Sequence, residues 1–269
     1  MKQIHNTEDQ RPPTAWRGTV LLWEDHGVFL GEAGDAEMHE SPAIKICVST
    51  DAAFGLSSAD GTGGGEYEAA LIPAGVRHAI HGRGVNMAML LIAPEGKLGQ
   101  RLFQIAGSPN IVALERTLAQ ELRQLAGGIG VDDAGSNDIL HKMVEAVAGS
   151  SSRETTASID PRVLQSIEWI RSGREHGILV KDIAAEVDLS ESRFSHLFTE
   201  HVRVPVRRYL LWLRLRDVLH MMASAGSLTE AAHSAGFADS AHLSRTFRTA
   251  LGIAPSDLVR DSSLISFLN

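Results

Sequence analysis

The sequence predicts an α+β chain: a β-rich first part, a short helical segment, and an all-α last part. Three observations predict it. Residues 14–94 hold short strand-like apolar runs with glycine-rich punctuation between them. Residues 109–148 change to apolar residues at three- and four-residue steps, the mark of an amphipathic helix. The last hundred-odd residues repeat one arrangement twice: a short helix, a tight turn, and a second helix with polar and basic residues on one face.

In the first part, expected as residues 1–108, the runs are Val20-Leu-Leu-Trp, Ala43-Ile-Lys-Ile-Cys-Val-Ser and Asn86 to Ala93, with Gly61-Thr-Gly-Gly-Gly65 between the last two. Many short strands with turn signals suggest a sandwich or barrel. On the middle run, alternation places Lys45 and Cys47 on one face and Ile44, Ile46 and Val48 on the other. Residues 109–148 follow. Ile111, Leu114, Leu118, Leu122 and Leu125 form one stripe, starting near Pro109 and stopped by Gly127-Gly128, with a second helix from Asp138 to Ala148. The stripe either packs on the β-rich part or pairs with a second subunit, and a dimerisation role is the expectation. Residues 149–158, small and polar, read as a linker.

The last part, residues 159–269, opens at Asp160-Pro161, a capping residue followed by a first-turn proline. Val163, Ile167 and Ile170 line that helix. The first repeat runs from Val180 to Ser190 and then Glu191 to His201; the second from Leu228 to Phe237 and then Asp239 to Leu251. Pro205 opens a long helix between them, reaching about Ala223. Such a rod spans nearly 30 Å at about 1.5 Å per residue, close to the ~34 Å repeat of a DNA turn.

Composition bounds the function classes. The chain has 269 residues, ordinary apolar and charged content, and a net charge of -8. Residues 1–158 carry 12 Lys/Arg against 20 Asp/Glu, and residues 159–269 carry 13 against 13. Bulk charge therefore gives nucleic-acid binding no support, but local charge does. Arginines 193, 203, 207, 208, 214 and 216 fall between Ser190 and Arg216 against only Glu191 and Glu200. One cysteine, Cys47, excludes an intramolecular disulfide framework. With no apolar leader and no run near the ~18 residues of a membrane span, the expectation is a cytoplasmic chain without membrane contact.

A helix-turn-helix lays its second helix in the DNA major groove. Phe194, Leu197 and Phe198 must face the core of the first such helix, with Ser190 as its cap. That leaves Ser192, Arg193, Ser195, His196 and Thr199 outside. In the second, Leu243 and Phe247 face inward, leaving Ser240, His242, Ser244, Arg245 and Arg248. Hydroxyls allow close approach to base edges, and Arg or His can donate to guanine N7/O6 or to phosphate. These ten residues are the expected DNA contacts.

Residues 178–260 resemble the AraC/XylS transcription regulators, whose DNA-binding domain has two helix-turn-helix motifs. The resemblance is carried by Ile183-Ala184, Leu189-Ser190, Phe198, Tyr209, Arg214, Ala235-Gly236-Phe237, Ser244-Arg245-x-Phe247-Arg248, Gly252 and Pro255. It implies base contacts from Ser192, Ser195, His196 and Thr199 in one groove segment and from Ser240, His242, Ser244 and Arg245 in the next. Arg248 would meet phosphate. Three positions depart from the family pattern: Arg203 where a glycine is usual, Val218 for alanine, and Ala231 for isoleucine. Pro73-Ala-Gly-Val-Arg-His78 resembles the second motif of a cupin barrel, with Gly82 where an asparagine is expected; His39-Glu40-Ser41 keeps half of the first motif.

The resemblance implies a cupin-like sensor barrel binding a small-molecule effector, with His39, Lys45 and His78 as candidate contacts. Two histidines are too few for a metal cupin, which normally converges about three His and a carboxylate; His26, His81 or Glu40 could complete such a site. Neither a metal nor another cofactor is expected. The whole reads as a non-enzymatic regulator with promoter DNA, an effector and RNA polymerase as partners, acting as a homodimer. A metal-dependent cupin enzyme with an appended helical module is the alternative, and a protein-binding adaptor is a third reading.

Overall fold

The computed structural model describes residues 16–106, 110–130, 135–149, 159–172, 177–223, 227–255, 257 and 264–267. The first part is a mainly antiparallel sheet. Its strands are β1 (Arg17–Leu22), β2 (His26–Glu40), β3 (Ile44–Ser49), β4 (Phe54–Ser58), β5 (Gly65–Tyr67), β6 (Ala69–Ile72) and β7 (Arg77–Ile92). β2 and β7 are 15 and 16 residues long and pair from His26↔Ile92 to Glu40↔Arg77. The other edge of β7 serves two strands, β4 at His78–His81 and β3 at Met87–Ile92. One edge shared by two partners makes the sheet bend. Register shifts in β2 between Ala33/Asp35 and Ala36/His39 mark that bend, since bulges strengthen local twist. Gly82 lies there. A Cβ at this position would come within 2.4 Å of the Ala33 and Gly34 carbonyl oxygens, so the asparagine of the cupin pattern has no room.

The alternation read on β3 holds. Cys47 joins an inner core with Phe29, Phe54, Ile72 and Ile80. Ile44, Ile46 and Val48 join an outer core covered by α1 (Lys97–Ala106), α2 (Arg116–Ala126) and α3 (Gly135–Gly149). The helix expected from near Pro109 is shorter than the stripe implied. Val112–Ala113 forms β8, which pairs with β6 through Ala70↔Ala113 and Leu71↔Val112. Ile111 is buried in the inner core, and Leu118 and Leu122 lie buried in the outer one, with Leu114 and Leu125 packed at its margin. The stripe expected to meet a second subunit is therefore part of this chain's own core. The sheet's outer face needs covering, and a tethered helix covers it without the translational entropy cost of association. The side chains that α2 leaves exposed, Arg116, Thr117, Gln120, Glu121 and Gln124, are polar or charged.

The last part holds α4 (Pro161–Ser172), α5 (Val180–Glu186), α6 (Glu191–Val202), α7 (Val206–Ala223), α8 (Leu228–Ser234) and α9 (Ser240–Leu251). Asp160 caps α4 by accepting from the Arg162 backbone N–H at 2.9 Å, and Val163, Ile167 and Ile170 are buried as read. The two helix pairs are packed differently. α4, α5, α6 and the start of α7 share a separate core around Val163, Ile183, Phe194, Phe198 and Tyr209. Leu215, Leu219, Ala231, Leu243 and Phe247, from α7 to α9, belong to the same core as the inner face of the sheet. Each fully buried phenylalanine contributes about 1.5–3 kcal/mol of transfer free energy.

One connection was not suggested by the sequence. Leu264–Phe267 forms β9, which pairs parallel with β1 from Thr19↔Leu264 to Leu22↔Phe267. The part expected as residues 159–269 thus ends in the sheet of the first part. Of the expected linker, residues 150–158 lie outside the described residues.

Candidate functional site

The two helix pairs turn by the same device. After α5, Asp188 takes φ 54, and the Leu189 N–H donates to the Ala184 carbonyl at 2.9 Å. After α8, Gly236 takes φ 75, and the Phe237 N–H donates to the Ala232 carbonyl at 2.9 Å. The second turn is one residue longer, because Ala238 separates Phe237 from the cap Asp239, whereas Ser190 follows Leu189 directly. Ser190 accepts from the Arg193 backbone N–H, as read, and Asp239 accepts from that of His242 at 2.6 Å. Gly236 was legible as a turn residue; Asp188, which carries the matching left-handed conformation at some steric cost, was not.

All ten expected DNA contacts lie on the outer faces of α6 and α9. Ser192, Arg193, His196, Thr199, His242, Arg245 and Arg248 are exposed, and Ser195, Ser240 and Ser244 are half-buried. Two hydroxyls already donate into their own helices: Thr199 to the Ser195 carbonyl and Ser244 to the Ser240 carbonyl, both at 2.8 Å. Their remaining lone pairs make them acceptors, suited to adenine N6 or cytosine N4 amino groups, while the arginines are donors suited to guanine or phosphate. The bond from the His242 N–H, with Arg245 and His242 nearby, holds the Asp239 carboxyl below its usual range. The helix exits also match. Arg203 ends α6 at φ 63 and Gly252 ends α9 at φ 76, both left-handed. This explains why glycine is usual at the first position.

The candidate effector residues meet at one point. His39 on β2 and His78 on β7 are a cross-strand pair with rings 4.3 Å apart. Each ring faces a backbone carbonyl at Nδ1: His39 that of Glu37 and His78 that of Val76, both at 2.8 Å. A carbonyl only accepts, so each Nδ1 carries its proton and each Nε2 is an acceptor. Both Nε2 atoms face Lys45 Nζ, at 2.6 and 3.0 Å. Lys45 therefore donates to both. These residues do not fit a metal ion, because the amine sits where the two ligand lone pairs converge.

Burial pushes the Lys45 ammonium down to about 8. Burial, then the Lys45 charge, lowers His78 to about 3 and His39 further still. Both imidazoles are thus neutral, and among the described residues no carboxylate is bonded to this buried cation. Cys47 is the other titratable group on that strand face; burial raises its thiol to about 12, so it is not a reactive thiolate.

Lys45 borders a cleft between the sheet and the helices. Its cavity volume is about 80 Å³, and the cleft is partly open to solvent. Trp16, Val20, Phe29, Ile80 and Met89 line the sheet side; Trp212, Leu219, Leu251 and Ile253 line the helical side. The second cation in the lining is Arg216, whose guanidinium is pushed down by burial and then by Arg171. It donates to the Trp23 carbonyl at 3.3 Å. Sequence reasoning counted Arg216 in a basic surface for nucleic acid; the structure instead half-buries it in the lining of this cleft. The available signal was its place with Trp212 and Leu219 at helical spacing, a cation on an otherwise apolar face.

Polar contacts fix the two parts together. Tyr209 donates to Glu95 Oε1 at 2.8 Å, and Arg171 donates to the same oxygen at 3.1 Å. Burial, then Glu95, raises the Tyr209 phenol. Arg208 pairs with Glu40, and the Glu37 N–H donates to the Gly252 carbonyl at 2.9 Å.

Residues 183–261, which hold the last part of α5 and all of α6 to α9, match the helix-turn-helix domain family. The HTH-type transcriptional activator RhaS of Escherichia fergusonii is 30% identical over 153 residues, 55% of each chain. The chain spans about half the length of the curated relatives it matches. Among solved structures, ToxT from Vibrio cholerae aligns with a TM-score of 0.60 at 12% identity, covering 89% of this chain and 100% of that one. An unsaturated fatty acid-bound ToxT from strain SCE256 aligns with a TM-score of 0.57 at 14% identity, covering 87% and 95%. At these identities the likeness is one of fold. Within its helical part the chain thus carries a helix-turn-helix domain similar to that of HTH-type transcriptional activators.

Proposed function

We propose that this chain is a sequence-specific DNA-binding transcription regulator controlled by a small effector in the cleft beside Lys45. The observation that carries the DNA half is the pair of equivalent turns, each presenting a capped helix with an outward face of hydroxyls, His and Arg. Both pairs are read as helix-turn-helix motifs, and the bent sheet as a degenerate cupin-like barrel. Promoter DNA is the macromolecular ligand and RNA polymerase the partner at the promoter. A homodimer would bring four reading helices to two half-sites; since Leu118 and Leu122 are buried internally, it would assemble through another surface. Among the described residues no helix is long and apolar enough to cross a membrane, in keeping with a cytoplasmic regulator.

The effector class follows from the cleft. It offers an apolar lining with a buried ammonium that has used two of its three donors on neutral imidazoles. Such a site suits an apolar molecule with one anionic head group. The fatty acid carried by ToxT, a protein of the same fold, supports this class. The amine between His39 and His78 disfavours the metal-dependent cupin enzyme.

The test is fluorescence anisotropy of the full chain on duplexes selected from a random library, across a range of salt. A selected duplex is expected to bind at least about 10³-fold more tightly than bulk DNA. Arg245→Ala should relax discrimination at one base pair by about 1–3 kcal/mol. Binding of all duplexes alike would overturn the reading.

A further inference from the structure

On the effector reading above, we infer that an anion bound at Lys45 is sensed by α9 and not by α6, through His39 and the backbone of Gly252. The path is short and made of direct contacts. Lys45 Nζ donates to His39 Nε2 at 2.6 Å, and His39 Nδ1 donates to the Glu37 carbonyl at 2.8 Å. The N–H of the same Glu37 donates to the carbonyl of Gly252, the residue that ends α9. The packing there has no slack. A Cβ on Gly252 would lie 2.6 Å from both His39 Nδ1 and the Glu37 oxygen. Leu251 and Ile253, on either side of Gly252, line the cleft themselves.

An anion in the cleft draws the ammonium towards itself and competes with the two imidazoles for its protons. His39 holds the shorter of the two bonds and has Gly252 against its other nitrogen. A change in the His39 ring is therefore passed to the α9 exit. The first reading helix lacks this connection. None of the cleft-lining residues lies between 177 and 206, and α6 is packed in a separate core. Lys45 also reaches His78 at 3.0 Å. That ring follows a turn which meets the α6 exit through Gly75, whose Cβ position is 3.1 Å from the Arg203 carbonyl oxygen, and through Ala74, which packs at the margin of the first pair's core; neither contact is a hydrogen bond from the His78 ring. Effector binding then alters the second set of base contacts relative to the first, and changes which spacing of half-sites is preferred rather than switching DNA affinity as a whole.

Hydrogen exchange on the full chain tests this, with oleate as the probe. In the wild type, oleate is expected to change exchange across 248–254 by at least about fivefold and leave 199–205 within about twofold. His39→Gln, compared at oleate concentrations that saturate it by native mass spectrometry, should lose the response at 248–254. Equal responses at both exits, or a response kept in His39→Gln, would overturn the inference. A ligand-free arm separates it from the effector reading. Lys45→Met removes the 2.6 Å bond, and should alter exchange at 248–254 without altering 199–205. No change, or the same change at both exits, overturns the inference even if oleate binds. Failure of oleate to bind wild type overturns the effector class alone, and the ligand-free arm still decides the path. Should Lys45→Met fail to fold by circular dichroism, His39→Gln without ligand provides the same comparison.

Discussion

The first helix pair rests on its own core, around Phe194, Phe198 and Tyr209, whereas the second shares its core with the inner face of the sheet, from Phe247 to Phe29 and Ile80. Their exits differ in the same sense. Arg203 takes the left-handed conformation with a side chain, beside the Gly75 turn, and Gly252 takes it without one, pressed on Glu37 and His39. Two copies of one motif thus have unequal relations to the cleft. A helix pair with its own core is tied to the first part by polar contacts such as Tyr209 with Glu95, whereas one whose core is continuous with the sheet must repack when the sheet's inner face moves.

The largest effects should come from the two cores. Phe198→Ala and Phe247→Ala are each expected to cost about 3–5 kcal/mol in urea unfolding. Only Phe247→Ala should also weaken oleate binding, because its cavity opens into the core that the cleft shares. If Phe198→Ala weakens oleate binding equally, the distinction between the pairs fails. Next in size is Gly252→Ala, which adds a strained φ to a backbone clash and should cost about 2–4 kcal/mol.

Titration sharpens the comparison further. Lys45 titrates at about 8 when folded against 10.5 for an ordinary lysine. Between these values the unfolded chain binds more protons, so this group makes stability rise with pH across that window, by up to about 3 kcal/mol. Lys45→Met should lack that rise. Oleate affinity should move the opposite way, falling above pH 8 as the ammonium is lost. The smallest effect is at the first exit: Arg203→Gly relieves the left-handed strain and should raise stability by about 1 kcal/mol. A loss instead would show that the Arg203 side chain anchors α6 there.

Local patterns in the sequence were enough for the features set by one element. The two faces of β3, the buried faces of α4, α6 and α9, and the Ser190 cap follow from periodicity and capping chemistry alone. The candidate reading faces followed as what those cores left outside. Features set by contacts distant in sequence did not. β2 and β7 were missed or shortened because bulges and glycines break their alternation, and β8 took Ile111 out of an apparently helical stripe. Lys45, His39 and His78 were named separately, but only the bend of the sheet brings the two imidazoles onto the amine. The place of Arg216 in the cleft was hidden because α7 was read as a spacer, and its role depends on which side of that rod meets the sheet.

β9 adds a last consequence. The helical part begins after the β1–β7 sheet and returns to it at Leu264–Phe267, so it is held at both ends like an insertion. Closing that loop confines the helices near the sheet and raises the effective concentration of one docking surface at the other. Contacts as individually modest as Arg208 with Glu40, or the Glu37 N–H with the Gly252 carbonyl, then persist without high intrinsic affinity. The same closure favours twisting and sliding of the helices over a wide swing. Under the proposed function, regulation would then work through changes of register a few ångströms in size.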